Sequence, residues 1–165
     1  MVYHFGMSAL RLDQQLCFAL YSASRATTAA YRPILDELGL TYPQYLVLLV
    51  LWEDEPITVR RLGERLQLDS GTLSPLLKRL ESAGLLVRQR TPADERSVEI
   101  TLTDKGRDLE RRAECIPENL FAATDLTELE LTNLRDAAQM LTAALRQAGA
   151  AQAGNQNNRH RKALR

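Results

Sequence analysis

The stretch that decides the fold is Leu68–Gly106, LDSGTLSPLLKRLESAGLLVRQRTPADERSVEITLTDKG. It opens on Asp69-Ser70-Gly71-Thr72, whose short oxygen-bearing side chains satisfy free N–H groups at a helix start. Leu73, Leu76, Leu77 and Leu80 then recur at helical spacing, and Gly84 ends the segment. Pro75 is expected in the first turn, where a missing N–H costs little. Leu85–Arg90 reads as a strand, and Thr91–Arg96, containing Pro92, as a turn. Val98, Ile100 and Leu102 alternate with Ser97, Glu99 and Thr101, the period of a half-buried strand. Thr103-Asp104-Lys105-Gly106 starts a further helix.

Upstream, Ile57-Thr58-Val59 is short and β-branched, and Val59, Leu62, Leu66 and Leu68 predict a short helix with a turn behind it. Tyr45–Trp52 is apolar on most sides and follows Pro43, so it reads as a buried helix. A long helix is expected over Leu10–Leu38, bent or divided at Pro33 and stopped by Gly39. Downstream, the helix from Thr103 runs to about Ala123, and a last one opens at Thr127 with Leu131, Leu134, Ala138, Leu141 and Leu145 on one stripe. A helix-turn-helix followed at once by a β-hairpin is a winged helix. The predicted class is therefore mainly α (α+β), a winged helix-turn-helix with its core at about 57–102. From Gly149 the composition lacks large apolar residues, and 149–165 reads as a disordered tail. Its basic run is Arg159, His160, Arg161, Lys162 and Arg165.

Bulk properties exclude several classes. No run approaches the roughly 20 apolar residues of a membrane span, and the N-terminus lacks a basic start with an apolar core. A cytoplasmic location is expected. Cys17 and Cys115 form no C-x-x-C pair, so a metal site is not expected. His4 and His160 stand at opposite ends, away from carboxylate clusters, which argues against a His-based catalytic triad. The sequence suggests neither an enzyme nor a bound cofactor. Formal net charge is +0, so nucleic-acid binding has to rest on local charge.

That local charge is present. On the helix from Ser70 to Ala83, Ser70, Thr72 and Ser74 allow close approach to phosphates or base edges, and Lys78 and Arg79 suit phosphates. Arg88, Arg90 and Arg96 place three guanidiniums on or beside the hairpin, where a narrow minor groove attracts them. Asp94 is placed to orient Arg96. A solvated polar face and an exposed salt bridge are the plain alternatives.

The stretch Leu68–Gly106 resembles the winged-helix core of the MarR family of bacterial transcription regulators, through the wing's Asp94 and Arg96 and the helix start Thr103 and Gly106. The resemblance implies homodimers that bind palindromic operators in double-stranded DNA. It implies one domain over about 8–148, with dimerisation helices at about 8–38 and 104–148. A narrower resemblance, to the OhrR branch of repressors that sense organic hydroperoxides, rests on Cys17 in Leu-Cys-Phe-Ala-Leu-Tyr, Tyr21, Tyr31, and Tyr42 in Thr-Tyr-Pro-Gln-Tyr. It implies that Cys17 is the peroxide-reactive thiol and that the hydroxyls of Tyr31 and Tyr42 reach it from the other subunit. Phenol donors suit a thiolate. Tyr21 shares the face of Cys17 one turn on. Tyr31 is fourteen residues away, about 21 Å along a continuous helix, so a bend or a second chain must bring it.

Several alternatives stay open from sequence. Cys17 could be a small buried thiol. The two-cysteine pattern of the branch puts its second thiol just after Ile-Pro-Glu, where this chain has Asn119, so Cys115 is displaced by about one turn. Cys115 then resolves Cys17, yields to a small thiol, or is structural. Other readings are a regulator that binds a phenolic ligand, a thiol peroxidase, or a winged helix used for protein contacts.

Overall fold

Helix α1 (Leu16–Glu37) follows a short 3-10 turn at Leu12–Gln14 and runs without a break through Pro33. The division into two abutting helices that Pro33 allowed does not occur. The proline lies in the last turns, where one lost hydrogen bond does not end the helix. The computed structural model describes residues 11–91, 94–122 and 124–163, with side chains over 11–90, 97–122 and 124–149. The chain divides into two compact units, one through Leu120 and one from Phe121.

Helix α2 (Tyr42–Glu53) is fastened at its start by a reciprocal cap. The Thr41 backbone N–H donates to the Gln44 side chain at 2.8 Å, and the Gln44 backbone is capped by the Thr41 hydroxyl. Val47, Leu48 and Leu51 are fully buried, so α2 is the central helix of the first unit. Each such side chain stabilises the fold by about 1.5–3 kcal/mol relative to exposure. Strand β1 (Ile57–Thr58) leads into α3 (Val59–Leu66), capped by the Thr58 side chain on Arg61 N–H. Helix α4 (Ser70–Ser82) follows. Leu62, Leu73, Leu77 and Leu80 close the core beneath these two helices.

Of the candidate caps in Asp69–Thr72, Asp69 is the one used, accepting from Thr72 N–H at 2.9 Å. Pro75 falls in the second turn rather than the first, because the helix begins at Ser70. Its missing N–H leaves the Gly71 carbonyl without its usual intrahelical donor. At the other end, Gly84 sits at φ +70°, with Gly84 N–H on Glu81 O and Leu85 N–H on Leu80 O. That double closure turns the chain directly into β2 (Leu86–Thr91).

The sheet order is β1-β3-β2, all antiparallel, with β3 spanning Asp94–Leu102. Ile100 is the hub, since it lies opposite both Ile57 and Arg88 and is fully buried. The turn expected over Thr91–Arg96 is tighter than predicted. Thr91 pairs with Asp94, and an irregularity after Arg90 takes up the extra residues of β3.

The helix expected from Thr103 to Ala123 is two helices, α5 (Asp104–Ala113) and α6 (Ile116–Ala122). Three contacts fix the start of α5 to the end of α4. The Thr103 hydroxyl donates to Gly84 O at 2.6 Å, Thr103 N–H donates to Leu85 O at 3.1 Å, and Lys105 Nζ donates to Ala83 O at 2.9 Å. Helix α7 (Glu128–Ala163) makes up most of the second unit and opens on Thr127, which exchanges bonds with Glu130. It continues through 149–163, where composition predicts a disordered tail. Alanine, glutamine, arginine and lysine are good helix formers even where they cannot build a core.

Gly106 tests the junction of α5 with the hairpin root. A Cβ there would stand 2.1 Å from Leu85 O. Gly106→Ala is expected to lower stability by about 3 kcal/mol, the upper part of the overpacking range. Gly149→Ala, whose Cβ would meet open space, should cause no loss. Urea unfolding of both variants checks this, and a loss under about 1 kcal/mol for Gly106→Ala would contradict the packing described.

Candidate redox centre and nucleic-acid interface

Helix α4 turns one face to the core and the other outward. Ser70, Thr72, Ser74, Lys78 and Arg79 are all exposed. The structure thus places these five predicted groove-facing residues together. Thr72 donates its hydroxyl proton to Asp69 at 3.0 Å, and Ser74 donates to Ser70 O at 2.7 Å. Both hydroxyl oxygens therefore point outward as acceptors. The hydrogen bonds from Thr72, its backbone N–H first, hold the Asp69 carboxyl below the usual carboxylate range. Asp69 thus stays an anion at the helix N-terminus, where the helix dipole favours it.

The hairpin arginines divide. Arg90 is exposed on β2. Arg88 is half-buried and committed to Glu81, with Nε 3.0 Å from one carboxylate oxygen and its backbone N–H 3.3 Å from the other. Its guanidinium is therefore paired within the chain, a partner that sequence did not suggest. The side chains of Asp94 and Arg96 lie outside the described residues, although both belong to β3.

Cys17 is the second residue of α1 and is exposed, which removes the reading of a buried structural thiol within one chain. Leu12, Leu16, Phe18, Leu20 and Tyr21 around it are exposed too. An apolar surface of this kind marks a contact site. Tyr21 lies one turn from Cys17, but its hydroxyl accepts from Arg25 at 3.3 Å, and the Arg25 guanidinium also sits 5.6 Å from its ring centre. Cys115 is exposed between α5 and α6, and neither cysteine is in a disulfide.

Tyr31 and Tyr42 come together at the far end of α1. Their ring centres are 5.0 Å apart, and Tyr45 stands 5.8 Å from Tyr31. Burial, reinforced by Tyr45 and Tyr42, pushes the Tyr31 phenol up to about 12. Burial raises Tyr42 as well, and Tyr45 through burial and the nearness of Tyr42. These phenols stay protonated at neutral pH and so remain donors. Because α1 is unbroken from Leu16 past Tyr31, the Cys17 of one chain is separated from its own Tyr31 by about 21 Å of helix.

Sequence reasoning missed Tyr45, Trp52, Glu55 and Glu81. Tyr45 stacks edge-on against Trp52 at 6.2 Å, and Trp52 Nε1 donates to Gly106 O at 3.0 Å. Glu55 accepts from Leu102 N–H at 2.6 Å and from Arg107 Nε at 2.8 Å. The tyrosine cluster is thereby tied to the hairpin root. The only sequence signal was the aromatic spacing of α2, which reads equally well as core. A cavity of about 440 Å³ opens beside this ladder, between Leu49 and Trp52 on α2 and Glu110 and Pro117 beyond.

A capped helix-turn-helix joined by a glycine turn to a β-hairpin defines a winged-helix protein. Residues 29–112 match the family profile of the transcriptional regulator SarA/Rot. The chain is 48% identical over 138 residues to the organic hydroperoxide resistance transcriptional regulator of Bacillus subtilis, spanning 84% of this chain and 94% of that one. The structure of reduced AbfR bound to DNA aligns with TM-score 0.70 at 39% identity, covering 82% of this chain and 93% of that one. The disulfide form of AbfR, a Staphylococcus epidermidis protein, aligns with TM-score 0.57 at 39% identity, covering 82% and 90%. The chain belongs to the MarR family of winged-helix transcription regulators.

The tyrosine cluster has a signature in alkali. Tyr31 ionises near 12 when folded, against an ordinary 10.0. As pH rises from 10 towards 12 the unfolded chain loses a proton that the folded chain keeps, so stability falls. Tyr31→Phe, which keeps the ring, should flatten that fall in pH-dependent denaturation. An unchanged slope would show that Tyr31 is not the buried phenol.

Proposed function

We propose that the chain is a homodimeric DNA-binding repressor whose release from its operator follows oxidation of Cys17 by organic hydroperoxides. The observation that carries the reading is the separation of Cys17 from Tyr31 along one continuous helix. An exposed thiol in an apolar strip stands at the start of α1, and the neutral phenols of buried Tyr31 and half-buried Tyr42 cluster near its other end. A second copy brings the two ends together, its strip covering this chain's tyrosine end. The exposed Leu129, Leu134, Met140 and Leu145 of α7 add further apolar surface for the same partner. The names of the Bacillus subtilis relative and of AbfR, solved in reduced and disulfide forms, support the same signal chemistry.

The chemistry follows from the groups. The Cys17 thiolate attacks the distal peroxide oxygen, an S–O bond forms as the O–O bond breaks, and the alkoxide leaves to take a proton from water. The sulfenic acid then condenses with a second thiol, Cys115 or a small-molecule thiol, forming a disulfide and releasing water. Tyr31 and Tyr42 donate hydrogen bonds to the thiolate before oxidation and lose that partner afterwards. Through Trp52–Gly106 and Glu55 the cluster bears on the hairpin root, so its rearrangement changes how the two recognition helices meet their half-sites. In this reading one equivalent of peroxide per chain suffices for release, the behaviour of a sensor and not of a peroxidase, and the protein works in the cytoplasm beside DNA.

Cys17→Ser tests the switch. The wild-type protein on its operator should dissociate after one equivalent of cumene hydroperoxide per chain, and the variant should stay bound. Release of Cys17→Ser by the same dose would sink the assignment. Tyr31→Phe and Tyr42→Phe should each slow Cys17 oxidation about tenfold or more, since a hydrogen bond to a charged group contributes about 1.5–3 kcal/mol. Stopped-flow rates on the three proteins measure this, and equal rates would remove the phenols from the site.

A further inference from the structure

We propose that Glu81 is a positioning residue for DNA reading, its carboxylate gripping Arg88 so that the wing is held at one angle to the recognition helix α4. The inference rests on the DNA-binding reading and not on the redox switch. Glu81 stands in the last turn of α4, and Arg88 stands on β2 across the Gly84 turn. Its two carboxylate oxygens take three bonds from Arg88, from the backbone N–H at 3.3 Å, Nε at 3.0 Å and Nη2 at 2.5 Å. Both partners are half-buried, at 31% and 36% exposure, so solvent competes less than at a fully exposed pair. A lone surface pair contributes little stability. This one, with a forked guanidinium and a backbone donor on a single carboxylate, supplies geometry instead.

The clamp is placed where it controls the whole wing. Arg88 lies opposite Ile100, the residue that also pairs with Ile57, so fixing Arg88 fixes the three-stranded sheet. Arg90, two residues on, shares the face of Arg88 and lies towards the tip. The inner arginine is thus spent on Glu81 while the outer one remains for the minor groove. A protein that reads a major groove with α4 and an adjacent minor groove with the hairpin needs both in register, and the Glu81–Arg88 angle sets that register.

The test uses the full-length reduced protein and a duplex that the wild type selects from a randomised pool. Affinity is measured on that duplex and on versions whose outer, wing-facing base pairs are changed from A·T to G·C. Glu81→Gln is expected to lose about tenfold on the selected duplex, to lose its discrimination among the flanks, and to keep the wild-type salt slope. Arg88→Gln should do the same. Lys78→Ala is the contrast, lowering the salt slope by about one while keeping flank discrimination. The double exchange E81R/R88E should recover most of the lost discrimination. Flank discrimination kept in Glu81→Gln would overturn the proposal. So would a salt slope reduced by about one in Arg88→Gln, which would make Arg88 a direct phosphate contact. A wild type that selects no duplex would overturn the DNA-binding reading, and this inference with it.

Discussion

Helix α1 keeps Cys17 and Tyr31 at opposite ends of one rod, and an α-helix does not shorten to let them meet. Most of the functional account depends on that separation. The helix is continuous from Cys17 past Tyr31, so a single chain cannot fold the thiol back onto its own Tyr31. In the proposed reading, the apolar surface around Cys17 and the tyrosine cluster are two half-sites, each incomplete until a second chain is present. A sensor built across an interface has a direct physical advantage. Any change at the sulfur alters how two subunits fit, and subunit fit is what sets the spacing of two recognition helices.

Transmission needs contacts that do not yield. The ladder from Tyr31 and Tyr42 through Tyr45 to Trp52 is close-packed, and Trp52 ends it with a hydrogen bond to the backbone of α5. At that residue, Gly106, α5 touches the backbone where α4 turns into β2, with no room for even a methyl group. Glu55 adds a second tie, holding the end of β3 and Arg107 together. Packed interiors are stiff, so in the proposed mechanism a displacement of the phenols is passed to the hairpin root.

Much of this was legible in the sequence, for local reasons. Asp69, Thr103 and Gly84 act on their own neighbours, and the alternation of Val98, Ile100 and Leu102 is itself a strand signal. The winged helix could be read from those positions. What could not be read was tertiary. Trp52 and Gly106 lie 54 residues apart, and nothing near either announces the other. The pairing of Arg88 with Glu81 was equally hidden, because the two come alongside only once the Gly84 turn is made. Pro75 was placed a turn too early, since any of Asp69, Ser70 or Thr72 could cap and only the fold chooses. The helix through 149–163 escaped a reading based on core-forming residues because helix propensity needs no core.

The division of the redox site between subunits is the central claim, and a mixed dimer tests it most directly. Chains carrying Cys17→Ser are paired with chains carrying Tyr31→Phe, and the heterodimer is purified by two different tags. If the site crosses subunits, the remaining Cys17 faces the intact Tyr31 of its partner, and the heterodimer reacts with hydroperoxide at the wild-type rate per thiol. If the site lies within one chain, that same Cys17 has only a phenylalanine beside it and reacts at the slow rate of the Tyr31→Phe homodimer, which would contradict the account.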